Sequence, residues 1–153
     1  MNQTMIIEFL LEAKKNTYSI GGGKTKSSRP NSYDYEFSKD NYKYIDSYLG
    51  THLFSGQEAV WYNNKPIWSM NYCGRVLDQE KFSGSFLKKA LMNPSYDNPF
   101  RGQPIFTEGE YTYKMEYTGS FEWYVGSEKI YFKDELVYEL NFHGGYILDK
   151  TID

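Results

Sequence analysis

The residues of this chain best suited to chemistry are two glutamates seventy positions apart, Glu58 and Glu128, and two asparagines at the same spacing, Asn71 and Asn141. Each glutamate is followed closely by aromatic residues, Tyr62 after Glu58 and Phe132 after Glu128. A carboxylate among aromatic walls can hold a cationic or hydroxyl-rich group, because the carboxylate and the ring faces both attract positive charge. The expectation is a groove bordered by Glu58, Glu128, Tyr62, Phe132, Asn71 and Asn141, binding an apolar ligand with a positive or hydroxyl-rich group. Two alternatives stand beside it. The carboxylates could work as a hydrolytic acid–base pair. They could also simply accept hydrogen bonds from Asn71 and Asn141 and fix strand register.

Other chemistries have weaker support. His52 and His143 are the only histidines and carry no metal-ligand spacing, so no metal and no cofactor is expected. Cys73 and His143 sit at equivalent positions of the two halves, but a nucleophile–base pair needs hydrogen-bond reach that spacing alone does not supply. Gly21-Gly22-Gly23 and His143-Gly144-Gly145 lack the spacing of a phosphate-binding loop.

The elements that must position these residues come from an internal repeat. At a shift of 70, Gly56, Glu58, Asn71 and Gly74 fall on Gly126, Glu128, Asn141 and Gly144. At a shift of 69, Tyr42, Tyr44, Tyr48 and Gly50 fall on Tyr111, Tyr113, Tyr117 and Gly119. Further upstream, at a different offset that loops would explain, Phe9-Leu10-x-x-Ala13 matches Phe86-Leu87-x-x-Ala90. Repeats bound the architecture before other patterns do. The expected fold is α+β and internally duplicated: two helix-plus-antiparallel-strand units, about eight strands and two helices, with pseudo-twofold symmetry. One domain spans 1–153, with repeat one at about 4–78 and repeat two at about 82–148.

Helices are expected at about 4–15 and 82–92 from apolar spacing. A loop is expected from Thr17 to Asn31, and hairpins at 57–63 with 66–73 and 127–133 with 136–143. With turns on Asn64-Lys65 and Asp134-Glu135, Glu58 would face Asn71 and Glu128 would face Asn141, on one face of each hairpin. Both sheet faces then read as largely apolar, so both should be covered or line something, one holding the two helices and the other closing on itself or forming a concave groove.

Composition narrows the partners. The formal net charge is −3, which leaves no basic field for a phosphate backbone, so no nucleic acid is expected. No run of residues is apolar enough for a membrane span. The stretch Met5-Ile-Ile-Glu-Phe-Leu-Leu lacks the form of a secretory signal, and a single cysteine, Cys73, fits a cytoplasmic location. The expected partners are a small-molecule ligand and a second copy of the chain in a homodimer. Aromatic residues reach 19%, a share that suits half-buried strands and ligand walls alike.

The motifs Ser28-Arg29-Pro30-x-Ser32-x-Asp34-Tyr35, Asp46-Ser47-Tyr48-Leu49-Gly50, Phe54-x-Gly56-x-Glu58-x-Val60-Trp61, Trp68-x-Met70-Asn71-Tyr72-x-Gly74, Phe100-Arg101-Gly102-x-Pro104 and His143-Gly144-Gly145 run through nearly the whole chain. This set resembles an uncharacterised bacterial and archaeal domain family found alone or C-terminal to helix-turn-helix transcriptional regulators. The resemblance implies no particular activity, but it points toward effector sensing. A small-molecule-binding module is therefore the favoured reading. The alternatives are a protein-interaction or structural domain without catalysis and a hydrolytic enzyme using Glu58 or Glu128.

Overall fold

The computed structural model describes residues 2–17 and 21–150. Helix α1 spans Gln3–Asn16, with the Asn2 side chain capping its first turn through Met5 N. Its apolar residues Ile6, Ile7, Phe9, Leu10 and Ala13 recur at helical spacing, and all are buried. Five strands follow: β1 (Lys24–Thr25), β2 (Tyr33–Lys39), β3 (Tyr42–Gly50), β4 (Leu53–Tyr62) and β5 (Lys65–Val76). Helix α2 (Gly84–Ala90) is capped by Ser83, whose side chain accepts from Phe86 N, and it buries Phe86, Leu87 and Ala90. Four more strands complete the chain: β6 (Ile105–Glu108), β7 (Tyr111–Ser120), β8 (Trp123–Phe132) and β9 (Glu135–Tyr146). The expected loop from Thr17 to Asn31 contains β1, and its residues 18–20 lie outside the described ones.

All nine strands form one antiparallel sheet in the order β1-β2-β3-β4-β5-β9-β8-β7-β6. This overturns the expected α+β fold of two helix-plus-strand units. The protein is mostly strand, an all-β-like fold with two short helices packed on a continuous sheet. The physical reason lies at its centre. Two separate units would each leave β5 or β9 as an open edge with unpaired backbone groups. Instead the two strands pair with each other, from Trp68↔Tyr146 to Val76↔Tyr138. A seven-residue helix such as α2 could not cover a unit by itself.

Register follows the turns and two bulges. The β4–β5 turn uses Asn63 and Asn64, both at positive φ (50° and 63°), and the β8–β9 turn uses Lys133 and Asp134 (46° and 68°). Two central residues at positive φ make the tight mirror-image turn that matches strand twist. Tyr62 then faces Lys65, one step from the expected turn. Register shifts again between Val60 and Trp61, and between Ile130 and Tyr131, leaving Ile67 and Val137 as the extra residues. The result is Glu58 opposite Met70, Gln57 opposite Asn71, Glu128 opposite Leu140 and Ser127 opposite Asn141. The expected Glu58–Asn71 and Glu128–Asn141 pairs are therefore corrected. A one-residue slip moves every partner to the other face.

Only one face is apolar. It carries Tyr44, Val60, Trp68, Met70, Tyr72, Tyr113, Met115, Tyr124, Ile130, Tyr138, Leu140 and Phe142, and the core forms between this face, the two helices and the segment 91–104. Over the central strands the opposite face is polar, with a Gln57–Asn71 hydrogen bond of 2.8 Å and an Arg75–Glu139 ion pair of 2.6 Å. The expectation that both faces are largely apolar is thus corrected as well. No helix among the described residues is long and apolar enough to cross a membrane.

Candidate functional site

Alternation along β3 places Tyr42, Tyr44, Asp46 and Tyr48 on the core face. Alternation along β4 does the same for Gly56, Glu58 and Val60. Asp46 lies directly opposite Glu58 across the β3–β4 ladder, so two carboxyl groups share one buried spot, at 7% and 4% exposure. Like charges at that range cannot ionise freely. Burial first, and the Glu58 charge second, push the Asp46 carboxyl up to about 7, against the pull of Tyr72, Arg101 and Lys14.

Three elements supply the partners. From β5, Tyr72 Oη donates to Asp46 Oδ1 at 2.6 Å. Tyr72 reaches that position because it crosses above Gly56, where a Cβ would come within 2.5 Å of the phenol oxygen. From α1, Lys14 Nζ donates to Phe100 O at 2.5 Å and stands 2.7 Å from Glu58 Oε2. The Lys14 contact with Glu58 is a charge contact outside hydrogen-bond angles, so buried Glu58 Oε2 has no hydrogen-bond donor. From β3, the Tyr44 phenol is held far above its ordinary range by burial, by the charges of Glu58 and Asp46, and by its hydrogen bond to Glu58.

Glu128 is satisfied differently. It is fully buried on β8, and Arg101 grips it with Nε to Oε2 at 3.0 Å and a terminal nitrogen to Oε1 at 2.6 Å. Tyr113 Oη donates to Oε2 at 2.6 Å and Tyr138 Oη to Oε1 at 2.8 Å. Burial acts to raise this carboxyl, but the Arg101 charge and these bonds together hold it below the ordinary range. The Arg101 guanidinium also lies over the Tyr72 ring, 5.6 Å from its centroid, and so links the two acidic centres.

A cavity of about 270 Å³ opens beside these groups. Its polar end is Lys14, Asp46, Glu58 and Arg101, and its walls include Tyr48, Phe54, Tyr72, Phe82, Phe100 and Tyr138. Leu87 of α2 and Leu91 close one side, and Gly50-Thr51 lies at the β3–β4 corner. The arrangement can hold a positive or donor-bearing group at the acids and an apolar body against the rings.

Of the six residues singled out from sequence, Glu58 lines this cavity and Glu128 lies behind it through Arg101. Tyr62 and Phe132 sit at the hairpin ends, against Tyr42 and Tyr111, and border no part of it. Asn71 and Asn141 point to the opposite face, where Asn141 borders a second, more open depression with Cys73, Arg75 and Glu139. Sequence reasoning missed Asp46, Lys14, Arg101 and Tyr72 as site residues. Asp46 had a usable signal: it occupies the buried phase of Tyr42-x-Tyr44-x-Asp46-x-Tyr48. Lys14, at the end of an amphipathic helix, had none. Among the described residues no group of three or more metal-ligating side chains forms.

No curated protein and no solved structure matches the chain. A family match covers residues 46–147, which takes in Asp46, Glu58, Tyr72, Arg101, Glu128 and Tyr138 but not Lys14. On that match, the chain belongs to the family described as Domain of unknown function (DUF5680).

Proposed function

We propose that this domain is a small-molecule-binding module that holds an organic cation with an apolar, preferably aromatic, body in the cavity beside Asp46 and Glu58. The observation that carries the reading is a buried carboxylate oxygen at the wall of an aromatic cavity, Glu58 Oε2, which makes no hydrogen bond and has the Lys14 ammonium at 2.7 Å as an off-angle charge contact. A buried carboxylate oxygen that is charge-paired but not hydrogen-bonded gains from a donor that completes its shell. A bound ammonium group would do so, and each contact with an aromatic face would add about 0.5–2 kcal/mol. A cavity of this volume suits a ligand below drug size, since drug-sized pockets run from about 300 Å³ upward.

An effector-sensing role accords with the helix-turn-helix association that the sequence resemblance implies. A cytoplasmic setting accords with Cys73, a free and exposed thiol.

Thermal unfolding with phenethylammonium, benzyltrimethylammonium and neutral phenethyl alcohol tests the reading. A cation at about one hundred times its dissociation constant should raise Tm by roughly 5–10 °C in a chain of this size. The shift should shrink in Glu58→Gln and persist in Glu8→Gln, which alters an exposed helix position. Equal shifts in wild type and Glu58→Gln would remove the cation site.

A second reading, acid–base hydrolysis, has one observation in its favour: Asp46, pushed up to about 7, lies in a cleft beside a second carboxyl. It predicts turnover of nitrophenyl glycosides or esters that falls as pH rises past 7 and vanishes in Asp46→Asn. A flat panel at all pH values would set that reading aside.

A further inference from the structure

We propose that the cavity takes up a primary or secondary ammonium group in exchange for one proton from the Asp46–Glu58 pair, so that one site reads both the amine and the ambient pH. The inference rests on the binding reading above and deepens it.

The reasoning begins with a charge count. Among the described residues the buried cluster contains three carboxyl groups, Asp46, Glu58 and Glu128, and two cations, Lys14 and Arg101. Arg101 is committed to Glu128 through two nitrogens, and Lys14 stands against Glu58. With every group ionised, the cluster is one positive charge short, among buried side chains where a charge deficit is weakly screened. The missing charge can be supplied by a proton or by a ligand cation.

The neighbours decide which group carries the proton. Asp46 faces Tyr35 from β2, its own strand's Tyr44 and Tyr48, Glu58 from β4 and Tyr72 from β5. Lys14 reaches in from α1 and Arg101 from the segment between α2 and β6, while Glu128 and Tyr124 of β8, Tyr113 of β7 and Tyr138 of β9 complete the surroundings. Burial holds the phenols of Tyr44, Tyr72, Tyr113 and Tyr124 neutral, far above their ordinary range. Arg101 stays charged beside Glu128, and Lys14 is paired with Glu58 at 2.7 Å. That leaves the acid pair to hold the exchangeable proton, in accord with the upward displacement of Asp46 to about 7.

Geometry also selects the kind of cation. Glu58 Oε2 makes no hydrogen bond, its Lys14 contact lying off angle, so a ligand N–H adds one, whereas a quaternary ammonium has no N–H to give. Arrival of the N–H cation favours the ionised form of Asp46, and the proton leaves to solvent. The exchange balances: one positive charge enters as one departs.

Calorimetric titration of the intact chain with phenethylammonium at pH 6, in two buffers of different ionisation enthalpy, counts the protons. About one should leave per amine bound, falling toward none above pH 8. Affinity should tighten roughly tenfold per pH unit between about pH 5 and 7 and then level off. Asp46→Asn should bind more weakly and with no pH dependence, and benzyltrimethylammonium more weakly than the primary amine. Carboxyl carbon NMR of the free protein should place the Asp46 titration near neutrality. Amine binding without proton release leaves the binding reading standing and overturns the coupling, as does Asp46 titrating in the ordinary carboxylate range. Failure of both amines to bind sinks the binding reading itself, whatever the free protein's titration shows.

Discussion

Glu128 and Glu58 show how one residue type can serve two ends. Glu128 accepts two bonds from Arg101 and one from each of two tyrosines, so its lone pairs are spent within the protein. Glu58 keeps an oxygen without a donor at the cavity wall. Glu128 therefore reads as an anchor that fixes Arg101 over Tyr72, and Glu58 as the group to which the proposed ligand would bind. This division predicts an asymmetric mutational response. Arg101→Met leaves a buried carboxylate without its cation and should cost about 3–5 kcal/mol in urea unfolding at pH 7. Adding Glu128→Leu should recover most of that loss, because removing both charges also removes their desolvation. A double variant no more stable than the single one would show that Arg101 stabilises mainly through its packing on Tyr72. The carboxylates themselves were visible in the sequence, since Glu58 and Glu128 stand out among apolar neighbours. Their different fates were not, because Lys14 and Arg101 arrive from segments 44 and 27 residues away in the chain.

At the level of elements, local signals were read well and cross-strand register was not. Phe9, Leu10 and Ala13 on α1, and Phe86, Leu87 and Ala90 on α2, are buried as their spacing requires. The hairpins failed on two single-residue details. The turns sit one residue earlier than expected, and the extra residues Ile67 and Val137 displace the register once more. Those residues have work elsewhere: Ile67 O accepts from Ile147 N at 3.0 Å and Val137 O from Leu77 N at 2.8 Å. Bulges of this kind end pairing locally and free a backbone group for another segment. The β4–β5 pairing also sets the site through Gly56, which leaves room for Tyr72 to cross toward Asp46. Gly56→Ala would press against both Tyr72 and Tyr48. It should destabilise the fold by about 1–3 kcal/mol, as overpacking does, and abolish the cation-dependent Tm shift even where the variant stays folded. A Gly56→Ala protein with the wild-type ligand response would show that the Tyr72 hydroxyl has no part in the site.

For the whole molecule the decisive contact is the β5–β9 seam. It joins two antiparallel meanders, β1–β5 and β6–β9, into one sheet and buries Tyr72 against Phe142 at its middle. Native-state hydrogen exchange should reflect this. Amides of β5 and β9 should exchange most slowly, through global unfolding, and those of β1 and β6 at the sheet edges fastest. Two separately exchanging halves, with the seam amides no better protected than the edges, would contradict a single cooperative sheet. The site depends on the same seam, since Tyr72 of β5 and Tyr138 of β9 serve different carboxylates on either side of it.

The sequence by itself determined the local periodicities, the two helices with their buried faces, the tyrosine-rich strands and the presence of carboxylates in apolar phase. These features depend on residues a few positions apart, where side-chain alternation and helical spacing act directly. Tertiary structure alone decided that the strands form one sheet, that one face is the core, and that Asp46 joins Glu58 while Asn71 and Asn141 turn away. Sheet closure depends on which strand edges satisfy each other's backbone groups, and register depends on single-residue bulges that carry no periodic signal. The cavity's charge balance is set in the same way, by a lysine from α1 and an arginine from a loop that meet the sheet only once the chain has folded.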